Sequence, residues 1–194
     1  SENHEFAELI VANDINWIGP SPKIIQAMGD KLSAKDMLDK AGVPMLPSIE
    51  IRPETDINDA AKTIGYPVLV KASAGGGGKG MRVVESPETL VAAVESAQRE
   101  AKNAFGDDKV FLEKWLESVK HVEVQIVGDK HGNILHCFER ECSIQRRHQK
   151  IIEEAPSPAV DEKLRQALGK SAIEAAKTLN YFSTGTVEFL LAGK

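Results

Sequence analysis

Between Val68 and Glu85 the chain reads VLVKASAGGGGKGMRVVE, which sets Gly75, Gly76, Gly77, Gly78 and Gly80 between two apolar runs. Ordering a glycine costs more backbone entropy than ordering any other residue, so five glycines in six positions need a physical reason. Glycines let several backbone N–H groups converge on an anion with no Cβ in the way. Three phosphate-binding patterns can be tested by what flanks the run. The Walker loop requires Gly-Lys-Ser/Thr, and here Lys79 is followed by Gly80. The dinucleotide pattern GxGxxG is met formally at Gly75, Gly77 and Gly80, but a helix must follow and MRVV is strand-like. A glycine flap between two strands, of the kind kinases close over nucleotide phosphates, fits. A plain turn is the simpler alternative, yet two residues suffice to reverse a hairpin. Lys71, at the end of the first strand, supplies a point charge that can reach an α- or β-phosphate.

The chain has 194 residues, 42% hydrophobic and 27% charged, which suits one or two compact domains with their own cores. No apolar run reaches the roughly 18 residues of a membrane span. The opening SENHEFAELI has neither the basic start nor the apolar core of a signal peptide. The net charge of −5, from 24 basic and 29 acidic residues, argues against bulk binding to nucleic acid or to anionic membrane. Two cysteines, Cys137 and Cys142, fit a reducing cytosol rather than a disulfide scaffold.

SPKIIQAMGDKLSAKDMLDKAGVP reads as two short helices, opened by Ser21-Pro22 and stopped by Gly42 and Pro44. Thr55 or Asp56 can cap INDAAKTI, which Gly65 closes, and YPVLVKA and MRVVE are strands. Ser86-Pro87-Glu88 starts a helix to about Ala104, with Leu90, Val94 and Ala97 at helical spacing. VFLEKWL is strand-like. In HVEVQIVGD, Val122, Val124 and Ile126 alternate with His121, Glu123 and Gln125. DKHG turns the chain, and NILHCFER pairs back as a hairpin. KIIEEA is a short strand, DEKLRQALGKSAIEAAKTLN a long helix that Asp161 can cap, and TVEFLL a last strand. A composition shift near Pro44–Pro53 separates the opening segment from a small α/β unit ending near Trp115, and a β-rich unit follows. Both ends read as cut, so the chain is expected to be a fragment of a larger protein.

ERECSIQRRHQKIIEEAP is the densest charged stretch, with Arg140, Arg146, Arg147, His148 and Lys150 against Glu139, Glu141, Glu153 and Glu154. A solvated, salt-bridged surface is the ordinary expectation for such a run. A site for small anions beside a nucleotide is the alternative. Cys137 and Cys142 have a permitted zinc-ligand spacing, with His136 and His148 nearby, but an odd offset of five puts the sulfurs on opposite faces of a regular strand. TVEFLL places Glu188 in an apolar strand. Alternation allows it to face solvent while Val187 and Phe189 face the core. If a nucleotide lies on that face, Glu188 suits Mg²⁺, which takes one or two carboxylates plus phosphate oxygens and waters.

The motifs GDK, KASAGGGGKGMRVV, FLEKWLE, HVEVQI, ERECSIQRRHQKIIEEAPSP and GTVEFL occur here in the order and spacing of biotin carboxylases. The chain resembles the ATP-grasp part of the biotin carboxylase component of acyl-CoA carboxylases over nearly its whole length. GGGGKGM alone points only to ATP-grasp, whereas CSIQRRHQK with EEAP is specific to biotin-dependent carboxylases. The resemblance implies an α/β (α+β) ATP-grasp fold. It further implies the end of a preceding domain and linking helices over 1–43, a lid subdomain over 44–115, and the first part of the C-terminal subdomain over 116–194.

Such enzymes use Mg-ATP (or Mn²⁺) and bicarbonate to make carboxyphosphate, then carboxylate biotin on a carrier domain, and a carboxyltransferase component completes the reaction. By this resemblance Lys31 and Lys71 contact ATP phosphates, and the glycines Gly75, Gly76, Gly77, Gly78 and Gly80 form the lid tip. The backbone of Glu113, Lys114, Trp115 and Leu116 meets the adenine, with Glu113 taking its amino group. His121 and Gln145 reach the ribose, and His148 lies by the nucleotide. Lys150 helps place bicarbonate, and Glu188 is one of two Mg²⁺ carboxylates. The second carboxylate, the bicarbonate base and the catalytic arginines are expected beyond this segment, so the fragment alone is expected to be inactive. Trp115 stands where Tyr is common and Ala74 where Gly can occur. The resemblance implies a homo-oligomer in the cytoplasm, or in the mitochondrial matrix if eukaryotic, with no nucleic-acid or membrane partner. Another ATP-grasp carboxylate ligase, and an isolated nucleotide-binding module without turnover, are the alternatives.

Overall fold

The computed structural model describes residues 3–29, 31–74, 80–147 and 149–193, with the backbone alone at 31–33. The elements are α1 (His4–Ala12), α2 (Pro22–Gly29), α3 (Lys31–Lys40), β1 (Ser48–Ile51), α4 (Ile57–Ile64), β2 (Val68–Ala72), β3 (Arg82–Val84), a 3₁₀ turn (Pro87–Thr89), α5 (Leu90–Phe105), β4 (Val110–Lys114), β5 (Lys120–Gly128), β6 (Ile134–Arg146), β7 (Gln149–Glu154), α6 (Glu162–Thr178) and β8 (Ser183–Leu191). They form two compact units. One holds residues 45–117, and the other holds 3–29, 33–44 and 118–193.

The first unit is a four-stranded antiparallel sheet in the order β1-β4-β2-β3. Alternation puts Val68, Val70, Val110 and Leu112 on one face, where they pack with Ala60 and Ala61 of α4 and with Leu90, Val94 and Ala97 of α5. Leu69, Lys71, Phe111 and Glu113 take the opposite face. Asp56 is the α4 cap, accepting from the N–H groups of Asn58 and Asp59. Thr55 instead accepts from Arg52 N–H at 3.0 Å. Ser86 makes no capping bond, and the chain passes through the 3₁₀ turn before α5 begins. The strand β1 was not foreseen: four residues between two prolines carry too short a pattern to read, and pairing with β4 creates it.

The second unit is an antiparallel sheet in the order β7-β6-β5-β8, with α6 on one face. Val122, Val124, Ile126, Val187 and Phe189 meet Leu168, Ala172 and Ala176 there. Asp161 caps α6 by accepting from Leu164 N–H at 2.8 Å. β6 is longer than the NILHCFER hairpin arm: it runs on through Glu141–Arg146, with register shifts against both neighbours. Phe138, at φ +63°, sits within the irregular stretch opposite Val124–Ile126.

The long strand buries two carboxylates of the charged stretch, for which a solvated surface is the ordinary expectation. Glu139 and Glu141 are only 3% and 5% exposed. Glu139 takes a two-pronged bond from the Arg165 guanidinium of α6, Nε and Nη2 each at 2.9 Å. Glu141 accepts from Ser157 Oγ at 2.6 Å, from Lys120 Nζ and from Ser143 Oγ. These bonds tie α6 and the 155–160 connection to the sheet.

Leu112 is fully buried in the first core. Leu112→Ala should cost about 2–5 kcal/mol in urea denaturation; a loss under about 1 kcal/mol would mean the core collapses around the cavity.

Candidate functional site

In the first unit, Lys71 lies directly opposite Phe111 in the β2–β4 register. Its Nζ is 2.8 Å from Glu113 Oε2 and 5.8 Å from the Phe111 ring centroid. Glu113 is nearly buried, at 6% exposure, while Lys71 keeps a quarter of its side chain open. The pair presents a fixed cation at the end of the strand that leads into the glycine run. Gly75, Gly76, Gly77 and Gly78 lie outside the described residues, as does the Lys31 side chain. Gly80 is described, and it is a packing glycine: at φ +71° an added Cβ would stand 3.1 Å from the Ala72 Cβ. Lys114 turns its ammonium to the carbonyls of Gly65 and Tyr66, at 2.8 and 3.0 Å, beyond the end of α4. Trp115 N–H donates to Pro67 O at 3.2 Å, and Leu116 follows in the chain.

In the second unit, four charged side chains meet on the sheet face away from α6. Glu123 of β5 stands opposite Arg140 of β6 on one side and Glu188 of β8 on the other. Its carboxylate is almost wholly buried, and Oε1 accepts from Arg140 Nε at 2.8 Å and from Nη2. Its Oε2 accepts from Lys150 Nζ, which also donates to Glu188 Oε1 at 2.6 Å. The Cys142 thiol lies 4.0 Å from Glu123 Oε2 and donates to His121 O at 3.6 Å. His121 N–H is held by Ser143 Oγ, and Gln145 Nε2 donates to Cys142 O at 2.9 Å. His148 lies outside the described residues.

The electrostatics follow from these contacts. Burial opposes ionisation of Glu123, but the bonds from Lys150 and Arg140 outweigh it and hold its carboxyl below the ordinary value of 4.5. Burial also works against charge on Lys150, and its bonds to Glu123 and Glu188 win, so it stays firmly protonated. Burial pushes the Cys142 thiol up, away from thiolate. Cys137 is exposed and Cys142 buried, which keeps the two sulfurs in different environments.

Glu188 is exposed, with Val187 and Phe189 in the core, as alternation allows. Its hard oxygen donors suit Mg²⁺. Among the described residues no cluster of three His, Cys, Asp or Glu side chains forms. The donor set therefore fits an ion shared with substrate phosphates rather than a cage built by protein alone. Sequence reasoning did not single out Glu123, and it named Arg140 only as one cation of the charged stretch. The available signal was a glutamate inside β5, flanked by Val122 and Val124, on the polar side of the alternation.

Residues 30–194 match the family described as "Carbamoyl-phosphate synthase L chain, ATP binding domain". The chain belongs to this family. It is 51% identical over 193 residues to a biotin carboxylase from Nostoc sp., covering 98% of this chain and 43% of that protein. It is 52% identical over 194 residues to the mitochondrial methylcrotonoyl-CoA carboxylase subunit alpha of Dictyostelium discoideum, covering 99% of this chain and 28% of that one. Among solved structures, the Campylobacter jejuni biotin carboxylase complex with β,γ-ATP superposes with a TM-score of 0.92 at 47% identity, covering 99% of this chain and 44% of the other. The biotin carboxylase domain of Hydrogenobacter thermophilus 2-oxoglutarate carboxylase, solved with MgADP and bicarbonate, gives 0.90 at 47% identity, covering 98% and 43%. The chain spans less than half the length of these relatives. The fold is ATP-grasp, and the resemblance to biotin carboxylases extends over about 98% of the chain.

The depressed carboxyl of Glu139, set first by the Arg165 bond, makes a signed prediction. A group with lowered folded pKa stabilises fully above its unfolded value, and that contribution is lost as pH falls below about 4.5 through the folded value. Glu139→Gln should therefore be clearly less stable than wild type at pH 7, and the gap should narrow progressively in acid. Urea titrations across that range check it; a gap that does not change with pH would contradict the assignment.

Proposed function

We propose that the chain is the nucleotide-handling part of a biotin carboxylase, which activates bicarbonate with Mg-ATP and carboxylates biotin on a carrier domain for a carboxyltransferase component. The observation that carries the reading is the convergence of Glu123, Arg140, Lys150 and Glu188 on one sheet face, in a chain half identical to biotin carboxylases.

Within this reading Lys71 binds a nucleotide phosphate, and Glu113 orients it by holding one ammonium N–H. The backbone of residues 113–116 meets the base, as the sequence resemblance implies. His121 and Gln145 line the ribose side, anchored through Ser143 Oγ and Cys142 O. Lys150 holds an anionic oxygen of bicarbonate or of the transferring phosphoryl group. It does so as a permanently protonated donor rather than as an acid or base. Glu188 would hold Mg²⁺, which when bound neutralises charge on the phosphates. The protein's own contribution is positioning and charge, both set before substrate arrives. His148, the glycine run and Lys31 join this assignment by resemblance.

The test is calorimetric titration of Mg-ATP into the chain. Saturable one-site binding is expected, weakened about ten-fold or more in Lys71→Met, a loss of about 1.4 kcal/mol or more. Absence of binding, or equal affinity in the variant, would contradict the nucleotide-handling role.

A further inference from the structure

The Lys150 ammonium serves two carboxylates at once, and the two are unequal. Glu123 and Glu188 face each other directly across β5 and β8, a position in which like charges repel. Lys150 offsets that repulsion by bonding to both. The Glu123 side chain is 3% exposed and is held a second time by Arg140. The Glu188 side chain is 65% exposed, and among the described residues its ion-pair partner is Lys150. A buried carboxylate that gives up one of its two cations leaves one oxygen without its charged donor in the interior, which is costly. An exposed ion pair contributes little and opens readily. The Lys150–Glu188 arm is therefore the one that can exchange, while the Lys150–Glu123 arm stays.

We propose that Lys150 and a divalent cation compete for Glu188, so that metal binding turns one N–H of Lys150 and its uncompensated charge toward the incoming oxyanion. The inference rests on Glu188 as the metal carboxylate. It adds an order that neither residue implies alone: Lys150 is the resting counter-ion of the metal position, and metal loading arms the anion position. Arg140, by pinning Glu123, keeps the amine from following Glu188 or drifting into solvent. Metal and anion then bind with positive coupling, which linkage makes reciprocal. Before metal arrives, the charge of Lys150 is partly offset by Glu188, so the anion meets a less attractive site.

The experiment titrates Mn²⁺ into the chain in the presence of a fixed, saturating concentration of ADP, reading free Mn²⁺ by electron paramagnetic resonance and subtracting the Mn²⁺ that ADP binds without the chain. Lys150→Met should bind Mn²⁺ about five-fold or more tighter than wild type, the scale of a typical coupling between sites. Lys150→Arg keeps the competing charge and should stay near wild type. Glu188→Gln should remove the site in either background. Lys150→Gln, which retains a donor toward Glu123, replaces the methionine variant if that one does not fold. Equal affinity in wild type and the neutral variants, with Glu188→Gln still abolishing binding, overturns the competition and leaves Glu188 as a ligand. Mn²⁺ binding unchanged by Glu188→Gln overturns both the competition and the reading on which it rests.

Discussion

A carboxylate inside a β-sheet must be neutralised, and at Glu123 that need organises the whole polar face of the second unit. One oxygen is taken by Arg140 from the neighbouring strand and the other by Lys150 from the strand beyond. Lys150 then reaches back across Glu123 to Glu188 on the opposite side. Three strands besides β5 are thus tied to one buried charge. Removing either cation would expose the cost of burying the anion, which is the larger energy in such pairs. The same constraint places an ammonium, a guanidinium and an exposed carboxylate together before any ligand is present.

The other face of that sheet is held by the same physics used for a different end. Glu139 and Glu141 are as buried as Glu123, but their partners are Arg165 on α6 and Ser157 in the connection before it. Alternation along β6 sends Glu139 and Glu141 toward the helix and Arg140 away from it. Three consecutive charged residues therefore split between architecture and site. In the first unit the arrangement is simpler: a single pair, Lys71 with Glu113, sits on the sheet face opposite the α4 and α5 core.

Most of the fold was legible because it rests on local signals. Period-two alternation marked β5 and β8, helical spacing marked α5, and Asp161 marked the start of α6. What escaped was decided by partners far away in the chain. Nothing near Glu139 announces Arg165, 26 residues on. β1 exists because β4 pairs with it. On the polar face of the second unit, Lys150 and Glu188 had been singled out, whereas Glu123 was only one residue of an alternating strand and Arg140 one member of a charged run, since such a run gives no sign of which members turn inward. Gly80 carries a packing constraint that the sequence does not announce: its φ is +71°, and an added Cβ would stand 3.1 Å from the Ala72 Cβ.

The most direct test of the account is a crystal structure of the chain grown with Mn²⁺ and a non-hydrolysable ATP analogue, with the metal located by anomalous scattering. The account predicts Mn²⁺ within bonding distance of a Glu188 oxygen, the Lys150 ammonium withdrawn from Glu188, and the Lys150–Glu123–Arg140 bonds intact. A metal bound away from Glu188, or a Lys150–Glu188 pair unchanged beside it, would contradict the account.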